Sequence, residues 1–348
     1  MKKKRKLFQN LAFFIVLIII TFYILLKDQD LFEIFNIISS VKIEFVFIGI
    51  ISMTIYLMLE AVNIGRTLKT LNEKSSFLKN FKYALIGFFF SSVTPAASGG
   101  QPMQIYYMYK DKISVSNSTL ALLLNLTSMQ ITTISYAIIS LLFNYQYLNK
   151  FLIIFFIVGI LLNLSALILL LVGILSKRLS RGLINIAIRI LKFFKVKNIE
   201  GKKEKFEEEL VKYQESAVYI KNNKKIMLKL LITTIIQFTF YYSTTYWTYR
   251  AFGFSEHNIL EIIGMQAVLF ATVSGIPSPG AVGVSEGAFM EIFRNVYQKS
   301  MMSSAVLLNR GINFYLFVII SAIVTLINHI KSGDEEEKVE ELDNVEEN

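Results

Sequence analysis

The sequence predicts an all-α polytopic membrane protein, with about six full transmembrane helices and two broken-helix hairpins in an inverted-topology repeat. Three observations carry this expectation. The 348 residues are 54% hydrophobic and 14% aromatic, with a mean hydropathy of +0.51, beyond the usage of ordinary soluble domains. The apolar residues gather into runs of about membrane-span length. All four prolines (Pro95, Pro102, Pro277 and Pro279) fall in two Pro/Gly-broken segments, one in each half of the chain. Proline lacks the N–H that a helix needs, and in hydrocarbon the freed backbone groups must be satisfied by protein or by a water-filled cavity. Matched breaks in two halves are the pattern of a transporter with its binding site near the bilayer midplane.

Taken in order, Met1–Lys6 is a basic cluster before the apolar run Leu7–Leu26. That run is of span length without a small-residue cleavage site, so it is read as a retained first helix. Further spans are expected at Ile43–Gly65, Ser114–Phe143, Phe151–Leu175, Ile226–Tyr249 and Met302–Ile330, with the broken segments at Phe81–Tyr109 and Ile259–Tyr297. Arg66, Lys69, Lys74, Lys79, Lys82, Lys110 and Lys112 flank the first broken segment. Residues 176–225 hold fourteen basic against six acidic residues, whereas the opposite face holds only Lys27, Lys42, Lys150, Arg250 and Lys299. The positive-inside rule then places both termini in the cytoplasm of a multi-pass cell-membrane protein. Each broken segment enters and leaves on one side, either as a re-entrant hairpin or as two short full-depth helices.

The order span, hairpin, span occurs over 43–143 and again over 226–330, within a single membrane domain spanning 1–330. Ile43 to Pro95 is 52 positions and Ile226 to Pro277 is 51. The segment 176–225 is amphipathic and basic and is expected at the cytoplasmic membrane interface, with a solvated charged loop as the alternative over Glu200–Lys225. The tail 331–348 has nine acidic residues and is expected to be disordered.

Without cysteine there are no disulfides, thiolate metal sites, iron–sulfur clusters or cysteine nucleophiles. His257 and His329 are the only histidines and stand far apart, so neither metal nor other cofactor is expected. The net charge of +10 is distributed as a topology signal, and no nucleic-acid partner is expected.

The broken segments carry the chemistry. In the first, Thr94, Pro95, Ser98, Gly99, Gly100, Gln101 and Pro102 form a break followed by a helix start, with Pro102 in the first turn. Free N–H groups and the positive dipole end there suit a phosphate or carboxylate, with Ser98 and Gln101 as neutral hydrogen-bonding groups. In the second, Gly280 and Gly283 loosen the turn after Pro277 and Pro279, Ser285 looks like an N-cap, and Glu286 is a membrane carboxylate able to meet a proton or a cation. Arg310 either pairs with Glu286, holds a lipid phosphate, or snorkels to headgroups. Glu291 and Arg294 read as a surface pair at (i, i+3). Glu60, Asn63 and Arg66 read as interfacial, and Gln130, Gln237 and Gln266 as interhelical hydrogen-bonding residues.

The run TPAASGGQPMQIYYMYK, followed by PSPGAVGVSEGAF and an arginine in the final span, resembles the membrane domain of the lysylphosphatidylglycerol synthase/flippase family over about Leu7–Ile330. The resemblance implies a stand-alone flippase-like member that moves anionic or aminoacylated phospholipid between leaflets. Two-domain relatives carry a C-terminal domain that transfers lysine from transfer RNA to the lipid. No such domain follows the last span, so lysyltransferase activity is the weaker expectation, beside transport of polyprenyl phosphate or a small solute. A membrane phospholipid is the expected partner, and a separate lipid synthase is a further one. Many relatives have an acidic residue where this chain has Gln101, which leaves Glu286 as the main candidate carboxylate.

Overall fold

The computed structural model describes residues 39–144, 150–176, 203–276 and 279–330, with isolated positions besides. All the regular structure among these residues is helical. The helices are α1 (Ile43–Thr70), α2 (Phe77–Val93), α3 (Gly100–Lys110), α4 (Val115–Asn144), α5 (Lys150–Leu175), α6 (Lys203–Asn222), α7 (Lys224–Ala251), α8 (Ile259–Val273), α9 (Val284–Ile292) and α10 (Met302–Arg310). After α10 the chain passes through a π-turn, Gly311–Tyr315, within a longer apolar span, Lys299–Ile330. Five of the expected spans are present: Ile43–Thr70, Val115–Phe143, Leu152–Ile174, Lys224–Ala251 and Lys299–Ile330. The expected helix Leu7–Leu26, the residues 331–348 and Pro277 lie outside the described residues.

The broken segments form helical hairpins, α2–α3 and α8–α9. Their arms have 17, 11, 15 and 9 residues. At 1.5 Å per residue the longest rises about 25 Å, short of the roughly 30 Å of a hydrocarbon core. A single 3₁₀ turn closes each tip, Pro95–Ala97 in the first and Pro279–Ala281 in the second. The two turns touch each other, and the second also packs on α2. Both contain an alanine in the left-handed region, Ala97 at φ 54° and Ala281 at φ 52°. The turn that begins at Pro95 is thus matched by the one that begins at Pro279.

Packing fixes the hairpins. Helix α7 runs along α1, and α8 lies between α4 and α5. The first hairpin shares a core with the last span through Tyr83, Phe89, Met103 and Tyr107 against Phe314, Tyr315 and Val318. The second shares one with α4 and α5 through Val268, Phe289 and Phe293 against Ala137, Leu152 and Phe156. At its base the first hairpin is pinned by Asp111, which pairs with Lys82 Nζ at 2.6 Å and accepts from Tyr83 Oη.

Residues 203–222 settle one open alternative: they form a helix rather than a solvated loop. Leu210, Tyr213, Ala217 and Ile220 of α6 pack on Leu71, Leu120, Leu124 and Ile174. Glu73, in the α1–α2 connection, holds this junction together. It accepts from Ser114 Oγ at 2.8 Å and Asn117 Nδ2 at 2.7 Å, and Lys212 Nζ of α6 stands 3.7 Å away. Asn117 in turn accepts from Ser216 of α6 at 3.0 Å. Burial pushes the Glu73 carboxyl up, but Asn117, Ser114 and Lys212 together outweigh it and hold the group below its ordinary range.

Candidate functional site

The second hairpin tip begins with geometry that glycine makes possible. Gly280 stands at φ 57°, and a Cβ there would lie 2.3 Å from Phe314 Cζ, so the chain crosses directly over the phenyl ring. The carbonyl of Gly280 then faces Arg310, whose Nη2 donates to it at 2.8 Å. Three residues on, Gly283 at φ 82° is the N-cap of α9. Glu286, in the first turn, reaches back so that Oε2 accepts the Gly283 N–H at 2.6 Å.

The other oxygen of Glu286 meets Arg310. Oε1 and Nε are 2.9 Å apart, with the side chains 13% and 9% exposed. The contact is an ion pair in distance and not an aligned hydrogen bond, because both atoms remain without a hydrogen-bond partner. The guanidinium lies 4.0 Å over Phe314 and 5.7 Å from the Tyr315 ring, a cation–π cradle. Of the alternatives for Arg310, the structure selects pairing with Glu286 over snorkelling. A buried pair of this kind gains little net stability, but removing one partner typically costs about 3–5 kcal/mol.

Ser285 is not the N-cap. It falls inside the first turn, because a left-handed backbone at Gly283 starts the helix two residues earlier and the Glu286 carboxylate satisfies the N-cap amide. In the first tip the turn is closed by Thr94, whose Oγ1 donates to Phe90 O at 2.6 Å and accepts from Gly99 N at 2.8 Å. Gly100 opens α3, and Pro102 lies in its first turn as expected. Ser98 is exposed and Gln101 half-buried, and among the described residues neither side chain has a partner. The structure thus joins Gly280, Gly283, Glu286 and Arg310 directly. The first-tip residues reach that group only through contact of the two turns.

Glu60, Asn63 and Arg66 all make hydrogen bonds within the protein. Asn63 is fully buried and donates to Thr234 Oγ1 at 2.9 Å. Arg66 donates to Lys229 O at 2.9 Å and Thr233 Oγ1 at 2.7 Å, clamping α1 to α7. Glu60 accepts a long 3.4 Å bond from Gln104, which also donates to Tyr83 O at 3.1 Å. The side chain of Gln104 occupies the space that a Cβ on Gly87 would fill. The Tyr56 and Tyr241 rings are 5.0 Å apart.

Gln130, Gln237 and Gln266 differ from expectation. Each has an unsatisfied buried oxygen among the described residues, and Gln237 lacks partners on both amide atoms. Glu291 and Arg294 form the expected surface pair, at 3.0 Å. Among the described residues, no group of three His, Asp or Glu side chains converges to hold a metal ion.

The comparisons with known proteins agree with this architecture. A UPF0104 membrane protein of Pyrococcus horikoshii is 24% identical over 298 residues, covering 82% of this chain and 88% of the relative. The family described as lysylphosphatidylglycerol synthase TM region matches residues 10–321. The protein is a multi-pass membrane protein, and the chain belongs to the lysylphosphatidylglycerol synthase transmembrane-region family.

Proposed function

We propose that the protein is a lipid translocase that moves an anionic or aminoacylated phospholipid, such as lysyl-phosphatidylglycerol, between leaflets. The observation that supports this best is the Glu286–Arg310 pair, set 2.9 Å apart beside the point where the two hairpin turns touch. A buried pair of opposite charges can exchange partners with a headgroup that carries both signs. The ammonium of an aminoacyl group replaces Arg310 at Glu286, and the phosphate replaces Glu286 at Arg310. Neither side chain is then left buried and uncompensated, a state that is costly at membrane depth. A headgroup of one sign satisfies only one of the two.

The first tip supplies the complementary neutral groups. Ser98, Gln101 and the first amides of α3 meet phosphate oxygens, while Thr94, Pro95, Gly99 and Pro102 shape the turn. Pro279 does the same for the second tip. Acyl chains stay in the bilayer while the headgroup passes between the tips. The two hairpins belong to inverted repeats, 43–143 and 226–330, and rocking one repeat against the other alternates access. The basic residues around the first hairpin support a cytoplasmic position for that side and for both termini.

Arg310→Ala and Glu286→Gln test this in proteoliposomes, with outer-leaflet lysyl-phosphatidylglycerol read by an impermeant amine reagent. Each variant is expected to slow protein-dependent exposure at least about tenfold, the effect of losing about 1.4 kcal/mol or more at the rate-limiting step. Wild-type rates in both correctly folded variants would sink the proposal.

A further inference from the structure

Glu60 is a carboxylate of α1 that neither the hairpin tips nor the Glu286–Arg310 pair uses. It stands about 15 Å of helical rise before the end of α1 at Thr70, and it is half-buried. Among the described residues it has no ion-pair partner, and its hydrogen bond is the one that Gln104 Nε2 donates to Oε1 at 3.4 Å. An ionised carboxylate in a membrane helix is costly without a counter-charge. The cations of the neighbouring elements are engaged elsewhere: Arg66 with Lys229 O and Thr233, Lys82 with Asp111, and Arg310 with Glu286 and Gly280 O. The titratable groups that the packed elements bring toward this level are phenols. They are Tyr56 from α1 itself, Tyr241 from α7, Tyr83 from α2, Tyr107 from α3, Tyr136 from α4 and Tyr315 from the last span. Phenols are neutral around pH 7, so no described cation neutralises Glu60, and a proton can.

Gln237 is the second, independent observation. It is fully buried, and neither its amide oxygen nor its amide nitrogen has a hydrogen-bond partner among the described residues. Such a group costs free energy until a partner arrives. The register of α1 on α7 puts it level with Glu60. On one side Asn63 donates to Thr234 at 2.9 Å, and on the other the Tyr56 and Tyr241 rings are 5.0 Å apart. Glu60 lies between Tyr56 and Asn63, and Gln237 between Thr234 and Tyr241. Residues at i, i+3 or i+4, and i+7 share a helix face, so the two stand on facing stripes of antiparallel helices. Gln104 comes from the first hairpin, where Gly87 leaves its side chain room, and its amide nitrogen also donates to Tyr83 O at 3.1 Å. Gln104 therefore offers Glu60 a donor, which suits the carboxylate. The unpaired oxygen of Gln237 is an acceptor, which suits the O–H of the acid.

We propose that Glu60 is a proton-binding site whose carboxylate form holds Gln104 of the first hairpin and whose neutral form donates to Gln237 of α7. The site does not rest on the translocation reading, and its test reads the carboxyl group itself. Full-length protein in proteoliposomes is treated with dicyclohexylcarbodiimide, which reacts with protonated carboxyls in apolar surroundings. Label on the Glu60 peptide is quantified by mass spectrometry across a pH series. The wild type is expected to label at low pH and to lose the label as pH rises, with or without sodium. Gln104→Leu removes the donor to the carboxylate and is expected to raise the midpoint by about 0.5–1 pH unit. Gln237→Leu removes the acceptor for the acid and is expected to lower it by about as much. A purely structural role for the two glutamines would not move the midpoint in opposite directions. Thermal unfolding checks that each variant is folded, and the wild-type profile decides the matter should a variant fail. No label on Glu60 at any pH, or midpoints unmoved in the folded variants, would overturn the inference. So would protection by sodium at constant pH, which would make the occupant a metal cation.

Discussion

Gly280→Ala tests whether the second tip is built around the Arg310 cradle. The glycine stands at φ 57°, where an L-residue costs about 1 kcal/mol. The neighbouring Ala281 tolerates φ 52°, so the backbone term alone is bearable. The larger cost is steric. The new Cβ would stand 2.3, 3.1 and 3.2 Å from Phe314 Cζ, Cε2 and Cε1, against ordinary contacts of about 3.5–4 Å. The ring has little room to retreat. It is 7% exposed, lies 6.2 Å from Phe88 and carries the Arg310 guanidinium at 4.0 Å. Overpacking adds about 1–3 kcal/mol, for a total of about 2–4 kcal/mol. Denaturant unfolding in micelles measures it, together with Phe314→Leu and the double variant. Leucine removes the clashing ring atoms, so the double variant should be more stable than the sum of the singles predicts, by about 1–2 kcal/mol. Additivity within about 0.5 kcal/mol would refute the contact between turn and ring.

Three further outcomes follow from the same geometry. Thr94→Val removes both hydrogen bonds that close the first tip and is expected to cost about 1–2 kcal/mol in micelle unfolding, whereas Ser98→Ala should cost under about 0.5 kcal/mol. Glu73, held below its ordinary range, contributes stability that is fully present above the unfolded value of 4.5 and is lost as pH falls through the lower folded value. Unfolding midpoints should therefore drop on acidification below that value in the wild type, and drop less in Glu73→Gln. The chain has no cysteine, so single introduced thiols report topology without background. Lys74→Cys should label only from the cytoplasmic side and Ser255→Cys only from the outer side, and the reverse pattern would contradict the proposed orientation.

Much of the architecture was legible because membrane helices and their breaks depend on composition alone. Five expected spans matched, and Pro95, Pro102 and the glycines located both hairpins, since no helix runs through such residues without loss of hydrogen bonds. Partner identity was less legible. Glu286 and Arg310 are 24 positions apart, and only the fold decides between pairing and snorkelling. Ser285 misled because side-chain preference favours serine at an N-cap, while here the backbone of Gly283 and the carboxylate of Glu286 share that role. The contact between Glu60 and Gln104 was missed for a related reason. Their contact crosses from α1 to α3 and depends on the absence of a side chain at Gly87, which carries no periodic signal. The described turns begin at Pro95 and Pro279, which lie 52 and 53 positions after Ile43 and Ile226.

The central claim is that the paired hairpins carry a phospholipid headgroup across the bilayer, with a charged pair that favours headgroups of both signs. Reconstitution of the purified protein into vesicles holding lysyl-phosphatidylglycerol, phosphatidylglycerol or polyprenyl phosphate compares the three directly. The account predicts protein-dependent outer-leaflet exposure that is fastest for lysyl-phosphatidylglycerol and is lost in Glu286→Gln. Exposure no faster than in protein-free vesicles for every lipid would contradict it.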